Sequence, residues 1–435
     1  MIKQLDVSGY RLLDDFTADF GDVTVVIGAN ATGKSTLLDC LELICRSAEF
    51  PINDVISWHG GMWSIWSASR DPGDLVWKLG FTKPSPDSVW STMPLEQDLS
   101  LVYEVALRQD AYGRAALEHE VLRTAQPYPG HAEPFKFLES TRTRSKVFDP
   151  RQRRLVDFDS SPVAAEHGLA KDIATSGSKE GADRVSEAAG ETSLLLLPRM
   201  RFLNEYPQPS YMRILLASCA FYPGFDVGRG SAVRTKPADI KPHTVLSASG
   251  DNLGTVLHEV LTRHDFKDSA EEIRAFLSVA YPSFDGVYAE TAYGTPAKVV
   301  VRWREKGARR AMEVWDLSDG ALRFLCLATA LLNPVPPPFI GIDEPEVGLH
   351  PGLLPVVADM IKTASERAQV VVTTHSPDLV NRFDLDDIAV MSREESRAVW
   401  HRPGTRASLR KMLEAVGGDT LGDLHRSGEL EAMAE

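Results

Sequence analysis

The sequence is poor in cysteine. Four thiols in 435 residues, Cys40, Cys45, Cys219 and Cys326, are scattered through apolar or helical surroundings. The absence of any CxxC pair with metal spacing weighs against a structural zinc site, and buried, reduced thiols in a cytosolic protein are expected. Long apolar runs are lacking too. No stretch approaches the roughly 18 uncharged apolar residues of a membrane span. The opening MIKQLDVSGYRLLDDF has no apolar h-region and no small-residue cleavage site, so no secretory signal is expected and the expected localisation is cytoplasmic. Internal repeats and sustained heptads are missing, which excludes solenoids and long coiled-coil arms. Excess positive charge is missing as well: 47 Lys+Arg face 61 Asp+Glu, a net charge of −14. That balance excludes a protein that coats DNA or anionic membrane along its whole surface, while leaving room for a local basic groove.

What is present begins with pattern. The length allows two to four domains of roughly 100–200 residues, or one large domain with insertions. Met1–Val7 and Phe16–Phe20 alternate like strands, and Val23–Ile27 is the continuous apolar run of a buried parallel strand. A glycine-rich turn follows, then helical spacing over Ser35–Cys45. Further strands are expected at Leu101–Leu107, Phe339–Ile342, Val370–Thr374 and Asp387–Met391, with a hairpin of Ala297–Arg304 and Ala311–Trp315 turning at Lys306-Gly307. Helices are expected near Pro209–Ala220, from Asn252, over Ala270–Tyr281, Asp319–Leu332, Leu353–Ser365 and Ser408–Val416. The stretch Asp159–Thr192 is small and polar.

Gly28-Ala29-Asn30-Ala31-Thr32-Gly33-Lys34-Ser35 fits GxxxxGK[ST] between a strand and a helix. Gly28 and Gly33 permit a loop whose backbone N–H groups wrap phosphate, and the following helix points its positive end at the anion. Lys34 is then expected on the β/γ-phosphates, Ser35 on Mg²⁺, and Thr36 near the α-phosphate. Phe339–Glu344 is an apolar strand ending in two carboxylates. Asp343 suits Mg²⁺ and Glu344 suits orientation or deprotonation of an attacking water. Leu317-Ser318-Asp319-Gly320 opens a helix; Ser318 reads either as an ordinary N-cap or, with Gly320, as a second phosphate-facing helix start. Thr373-Thr374-His375-Ser376 ends the next strand and offers His375 as a γ-phosphate sensor.

The ordered set GANATGKS, LSDG, FIGIDEPEVGLHP and TTHS resembles an ABC-type ATPase head of the RecF/SMC/OLD group, and Leu317–Pro351 resembles small bacterial ATPases near the OLD family. The resemblance covers residues 1–45 and about 250–435 well and the middle weakly. It implies an α/β head with a mixed sheet, flanking helices and a largely helical insertion, divided as residues 1–110, an insertion at 111–284, and residues 285–435. It implies ATP and Mg²⁺ as ligands and two protomers sandwiching two nucleotides. Lys34, Ser35, Asp343, Glu344 and His375 would act in cis, Ser318 and Gly320 in trans, and Glu346–Pro351 would lie near the dimer seam. Ser8-Gly9-Tyr10-Arg11 resembles the entry segment of such heads, where the arginine lies near the phosphates. The LSDG signature departs from the LSGGQ of transporters and points away from a transporter motor. About 60 residues follow His375, too few for the Toprim nuclease of OLD proteins, so no nuclease activity is expected. Gln97 and Gln109 are the candidates for a Q-loop glutamine.

Two basic stretches could meet DNA or RNA: Arg142, Arg144, Lys146, Arg151, Arg153 and Arg154, and Arg302, Arg304, Lys306, Arg309 and Arg310. A solvated loop or hairpin face is the plainer reading of each. The tryptophan-rich stretch Trp58–Trp90 could stack bases or pack in a core or partner interface. Two functions follow. One is a Mg²⁺-dependent ATPase dimer, a clamp or switch in DNA repair or phage defence. The other is a nucleotide-sensing scaffold that holds a separately encoded nuclease or toxin.

Overall fold

The computed structural model describes residues 1–67, 73–82, 100–161, 163–164, 195–235, 238–239, 244–291, 298–406 and 421–434. The expected helix over Ser408–Val416, Trp90, Gln97 and most of the small polar stretch after Asp159 lie outside the described residues.

Two large sheets organise the chain. The first runs in the order Ala220–Tyr222, Phe339–Asp343, Gln369–Thr373, Val23–Ile27, Ile388–Glu394, Arg397–His401. Its first five strands are parallel and the last is antiparallel. Val23–Ile27 and Gln369–Thr373 are buried at every position, as parallel strands covered on both faces must be. Their alternate side chains feed two cores. Val26, Val371 and Phe339 join one cluster, with Leu37, Leu41 and Leu216. Val25, Ile27, Ile340, Ile342, Val370 and Val372 join the other, with Leu257, Leu325 and Val357. The first core is covered by helices Lys34–Arg46 and Pro207–Ala217; the second by Leu253–Thr262, Lys267–Ala280, Asp319–Leu331 and Leu354–Ser365.

The second sheet has eight antiparallel strands, in the order Phe16–Asp19, Ile2–Ser8, Asp74–Phe81, Leu101–Gln109, Ala115–Thr124, Lys136–Thr141, Ser145–Asp149, Arg154–Asp157. Asp74–Phe81 alternates buried and half-buried positions, the pattern of a sheet with one wet face. Gln369 pins the two sheets together. It is buried, its Oε1 accepts from Ile2 N at 2.9 Å, and its Nε2 donates to Ile2 O at 2.7 Å and Gly21 O at 2.9 Å. A third, four-stranded sheet pairs Phe284–Thr291 with Lys298–Glu305, flanked by Ala238–Asp239 and Met312–Glu313.

Two expectations change. The first part of the stretch expected as a largely helical lobe, Ala115–Asp157, is four strands continuing the amino-terminal sheet; the described helices of that stretch begin at residue 207 or later, apart from one short turn. The hairpin around Lys306-Gly307 forms across just two residue pairs, Arg302 with Glu313 and Trp303 with Met312. The main partner of Lys298–Glu305 is Phe284–Thr291, whose glycine and acidic residues hid it from a β-propensity reading.

Candidate functional site

The loop after Val23–Ile27 is held in a shape few sequences permit. Gly28 has φ +149°, and a Cβ there would lie 2.1 Å from the Met391 carbonyl oxygen. Gly33 has φ +106° and caps the next helix without a side-chain bond, and the helix has no acidic residue in its first turn. Its positive end is thus left without a carboxylate of its own. Asn30 and Ala31 are exposed, with Ala31 at φ +62°, and Thr32 Oγ1 donates to Ala29 O at 3.0 Å. Lys34 bends back over this loop: its Nζ donates to Gly28 O at 2.9 Å and Ala29 O at 3.0 Å, with the residue 6% exposed. Burial lowers its pKa, and the fields of Glu344 and Asp343 oppose that shift. Ser35 is exposed and Thr36 half-buried at the same helix start.

The carboxylates come from the strand two places away. Asp343 pairs in register with Thr373, whose hydroxyl donates to the Asp343 carboxylate. Glu344 leaves the strand in a left-handed conformation, φ +47°, and its N–H donates to Thr373 O at 3.1 Å. Its Oε1 lies 3.7 Å from His375 Nε2. Burial and the charge of Lys34 lower the His375 pKa, against the opposing pull of Glu344 and Glu346. That shift favours the neutral imidazole beside Glu344. Glu346 clamps the loop from below: its Oε1 accepts from Thr374 Oγ1 at 2.7 Å and His375 N at 2.9 Å. That clamp was not legible in the sequence, where Glu346 reads as the start of the segment expected near the dimer seam. A cavity of ≈ 250 Å³ opens beside Asp343 and Glu344, walled by Tyr222, Phe225, Arg323 and Val347.

The signature stands apart from the loop. Ser318 is exposed and caps the helix Asp319–Leu331, its Oγ accepting from Ala321 N at 3.2 Å. Gly320 backs onto its own chain: a Cβ there would lie 3.2 Å from Gly348 O, and Arg323 Nη1 donates to Val347 O at 3.1 Å. The signature helix thus rests on the segment after Glu346. Arg11, at φ +44°, is tied to the side of the phosphate-loop helix. Its Nη1 is 2.6 Å from Asp39 Oδ2 and its Nε donates to Ser64 O at 3.1 Å.

Of the two expected glutamines, Gln97 lies outside the described residues and Gln109 stands away from these carboxylates. Gln109 ends a strand of the antiparallel sheet. The strand bordering Phe339–Asp343 is Ala220–Tyr222, and the chain leaves it through Pro223-Gly224-Phe225, with no glutamine. The first basic stretch is split. Arg142 and Arg144 precede the strand Ser145–Asp149 and Arg151, Arg153 and Arg154 follow it, at opposite ends; Arg142 pairs with Glu118 at 2.8 Å. In the second, Arg302 faces Glu290 and Glu313, and Arg304 pairs with Asp285. Trp66 and Trp77 are buried, while Trp58 and Trp63 are exposed.

A glycine-rich loop leading into a helix, a carboxylate-ended strand two places away in the same sheet and a five-strand parallel core define a P-loop ATPase of the ABC/SMC type. The model of one family, described as "AAA domain, putative AbiEii toxin, Type IV TA system", matches residues 23–381, and the chain belongs to that family. The chain is similar to solved SMC heads. One, bound to the C-terminal winged-helix domain of ScpA, is 12% identical with a TM-score of 0.51, covering 92% of this chain and 97% of that one. Another, from Pyrococcus furiosus, with an extended coiled coil and bound to the C-terminal domain of ScpA, is 14% identical with a TM-score of 0.48, covering 96% and 99%. The search of curated proteins gives no match. Among the described residues, no helix is long and apolar enough to cross a membrane.

Proposed function

We propose that this chain hydrolyses ATP with Mg²⁺ as an ATP-sandwiched homodimer in the cytoplasm. The observation that carries the reading is the convergence of Lys34, Asp343, Glu344 and His375, from three adjacent parallel strands, on one loop built to wrap phosphate. Lys34 exchanges the Gly28 and Ala29 carbonyls for the β- and γ-phosphates of ATP. Glu344 takes the proton of the attacking water as the bond between the γ-phosphorus and its bridging oxygen breaks and ADP leaves. His375 meets the γ-phosphate as a neutral donor. The hydroxyl of Ser35 and the carboxylate of Asp343 form the hard-oxygen donor set that Mg²⁺ prefers. When bound there, the ion would neutralise charge on the β- and γ-phosphates. Ser318 and Gly320 complete the site of the partner chain.

The head is best read as residues 1–110 and 285–435 with an insertion between, the insertion's first strands extending the amino-terminal sheet. The biological setting we favour is phage defence, ahead of DNA repair, because the family's description names a toxin–antitoxin system. A nucleotide-sensing scaffold is the second reading, and the winged-helix domain bound to one similar SMC head favours a protein partner in either case. The test is Glu344→Gln. As an ATPase, the chain loses about 10²–10⁴-fold in turnover and accumulates as a dimer with ATP. Equal, negligible turnover of both proteins, with and without DNA, would establish the scaffold reading.

A further inference from the structure

One buried cation belongs to none of the motifs above. Arg234, in the short helix Ala232–Thr235, is 6% exposed, and three of the four groups it holds lie more than 80 residues away in sequence. Its Nε donates to Val227 O at 2.5 Å. Its Nη1 donates to Trp315 O at 3.1 Å and Leu317 O at 2.8 Å, and its Nη2 to Asp319 Oδ1 at 2.6 Å. Burying a guanidinium is unfavourable unless its donors are met, and here four acceptors meet it. Two of them are the carbonyls just ahead of the signature helix, and a third is the side chain of its first residue. Lysine could not do this, since a single ammonium lacks the planar fork that reaches several acceptors at once. The remaining acceptor, Val227 O, lies two residues beyond Phe225, which walls the cavity beside Glu344.

We propose that Arg234 is a positioning residue for the signature. It fixes the backbone from Trp315 to Asp319 so that the Ser318 hydroxyl and the Gly320 N–H face the γ-phosphate held by the partner chain. Through Val227 it also ties that helix start to the segment that borders its own carboxylates. This rests on the ATP-sandwich reading above. Arg234 therefore acts on the site that its chain completes in trans and not on the site that its chain loads with nucleotide.

Mixing variants separates these. Arg234→Gln should bind ATP within about twofold of wild type and lose about 10- to 100-fold in turnover, the range seen when a supporting shell is removed. Mixed with Lys34→Ala, it should regain turnover several-fold above the sum of the two alone. One site of the mixed dimer then joins an intact phosphate loop to an intact signature. The control is Gly320→Glu mixed with Lys34→Ala. If the control recovers and the Arg234→Gln mixture does not, Arg234 is a purely structural residue and the proposal is overturned. If neither recovers, the sandwich reading falls and takes the proposal with it. Should Arg234→Gln fail to fold, judged by its thermal transition, Asp319→Ala removes one contact by truncating an exposed carboxylate. It should show a smaller loss with the same recovery, and absence of both would again overturn the proposal.

Discussion

The two large sheets of this protein do different work. The central strands of the parallel sheet are buried on both faces, and the phosphate-loop, carboxylate and His375 segments follow the carboxyl ends of its strands. The antiparallel sheet contributes Arg11 at the end of its first strand, held by Asp39, and otherwise a broad core face with a half-wet reverse. The difference teaches that the candidate site gathers on the sheet whose five parallel strands share one carboxyl edge, as the open parallel topology dictates. The antiparallel sheet acts as a buttress, joined to the other through Gln369.

That contrast can be broken by mutation. The largest effect belongs to the parallel sheet: Lys34→Ala should abolish ATP binding measured by equilibrium titration, and retention of wild-type affinity would remove the phosphate-loop assignment. The loss of turnover in Glu344→Gln comes next. At the junction, Gln369→Leu leaves the Ile2 N–H unpaired in the core and should lower stability by about 1–3 kcal/mol in a denaturant titration, with little change in ATP affinity.

In the antiparallel sheet, Glu120 is buried and accepts from Tyr103 Oη at 3.0 Å and from the backbone N–H groups of Leu196 and Leu197 at 2.5 and 2.9 Å. Burial raises its pKa from 4.5 to about 7, outweighing those donors. A folded pKa above the unfolded one means that the folded chain binds the proton more tightly. Its contribution is therefore complete below pH 4.5 and lost as pH rises through about 7. Thermal melts should show the advantage of wild type over Glu120→Gln shrinking from pH 5 to pH 8, while turnover at saturating ATP is the same for both. A change in turnover would mean that the buttress reaches the site.

The smallest effect is expected from Arg142→Gln with Arg144→Gln. Arg142 is already paired with Glu118, so the salt dependence of any DNA binding should stay unchanged. A fall in slope of about two would make that end of the sheet a phosphate contact.

The motifs were legible because each is local. GANATGKS needs its glycines within eight residues, and FIGIDE is a single strand with its terminus. The Glu346 clamp, the Arg234 clamp and the Gln369 pin were not legible. Each joins a side chain to backbone groups that sequence leaves unspecified, across 29 residues for Glu346 and His375, 81–83 for Arg234 and residues 315–317, and 367 for Gln369 and Ile2. The strand Phe284–Thr291 was missed for a related reason: its pairing with Lys298–Glu305, not its composition, makes it a strand.

The low cysteine count, the acidic balance and the absence of long apolar runs are compatible with an α/β protein, and the sequence alone named the residues expected to touch ATP. Local backbone chemistry suffices for that, because a glycine-rich turn between a strand and a helix carries its own anion site. Tertiary structure alone decided which strands lie beside one another, and so which carboxylates face Lys34 and which His375. It also decided that the basic stretches are dispersed and that a distant arginine holds the signature. Those outcomes depend on packing between segments far apart in the chain, where no local pattern fixes the partner.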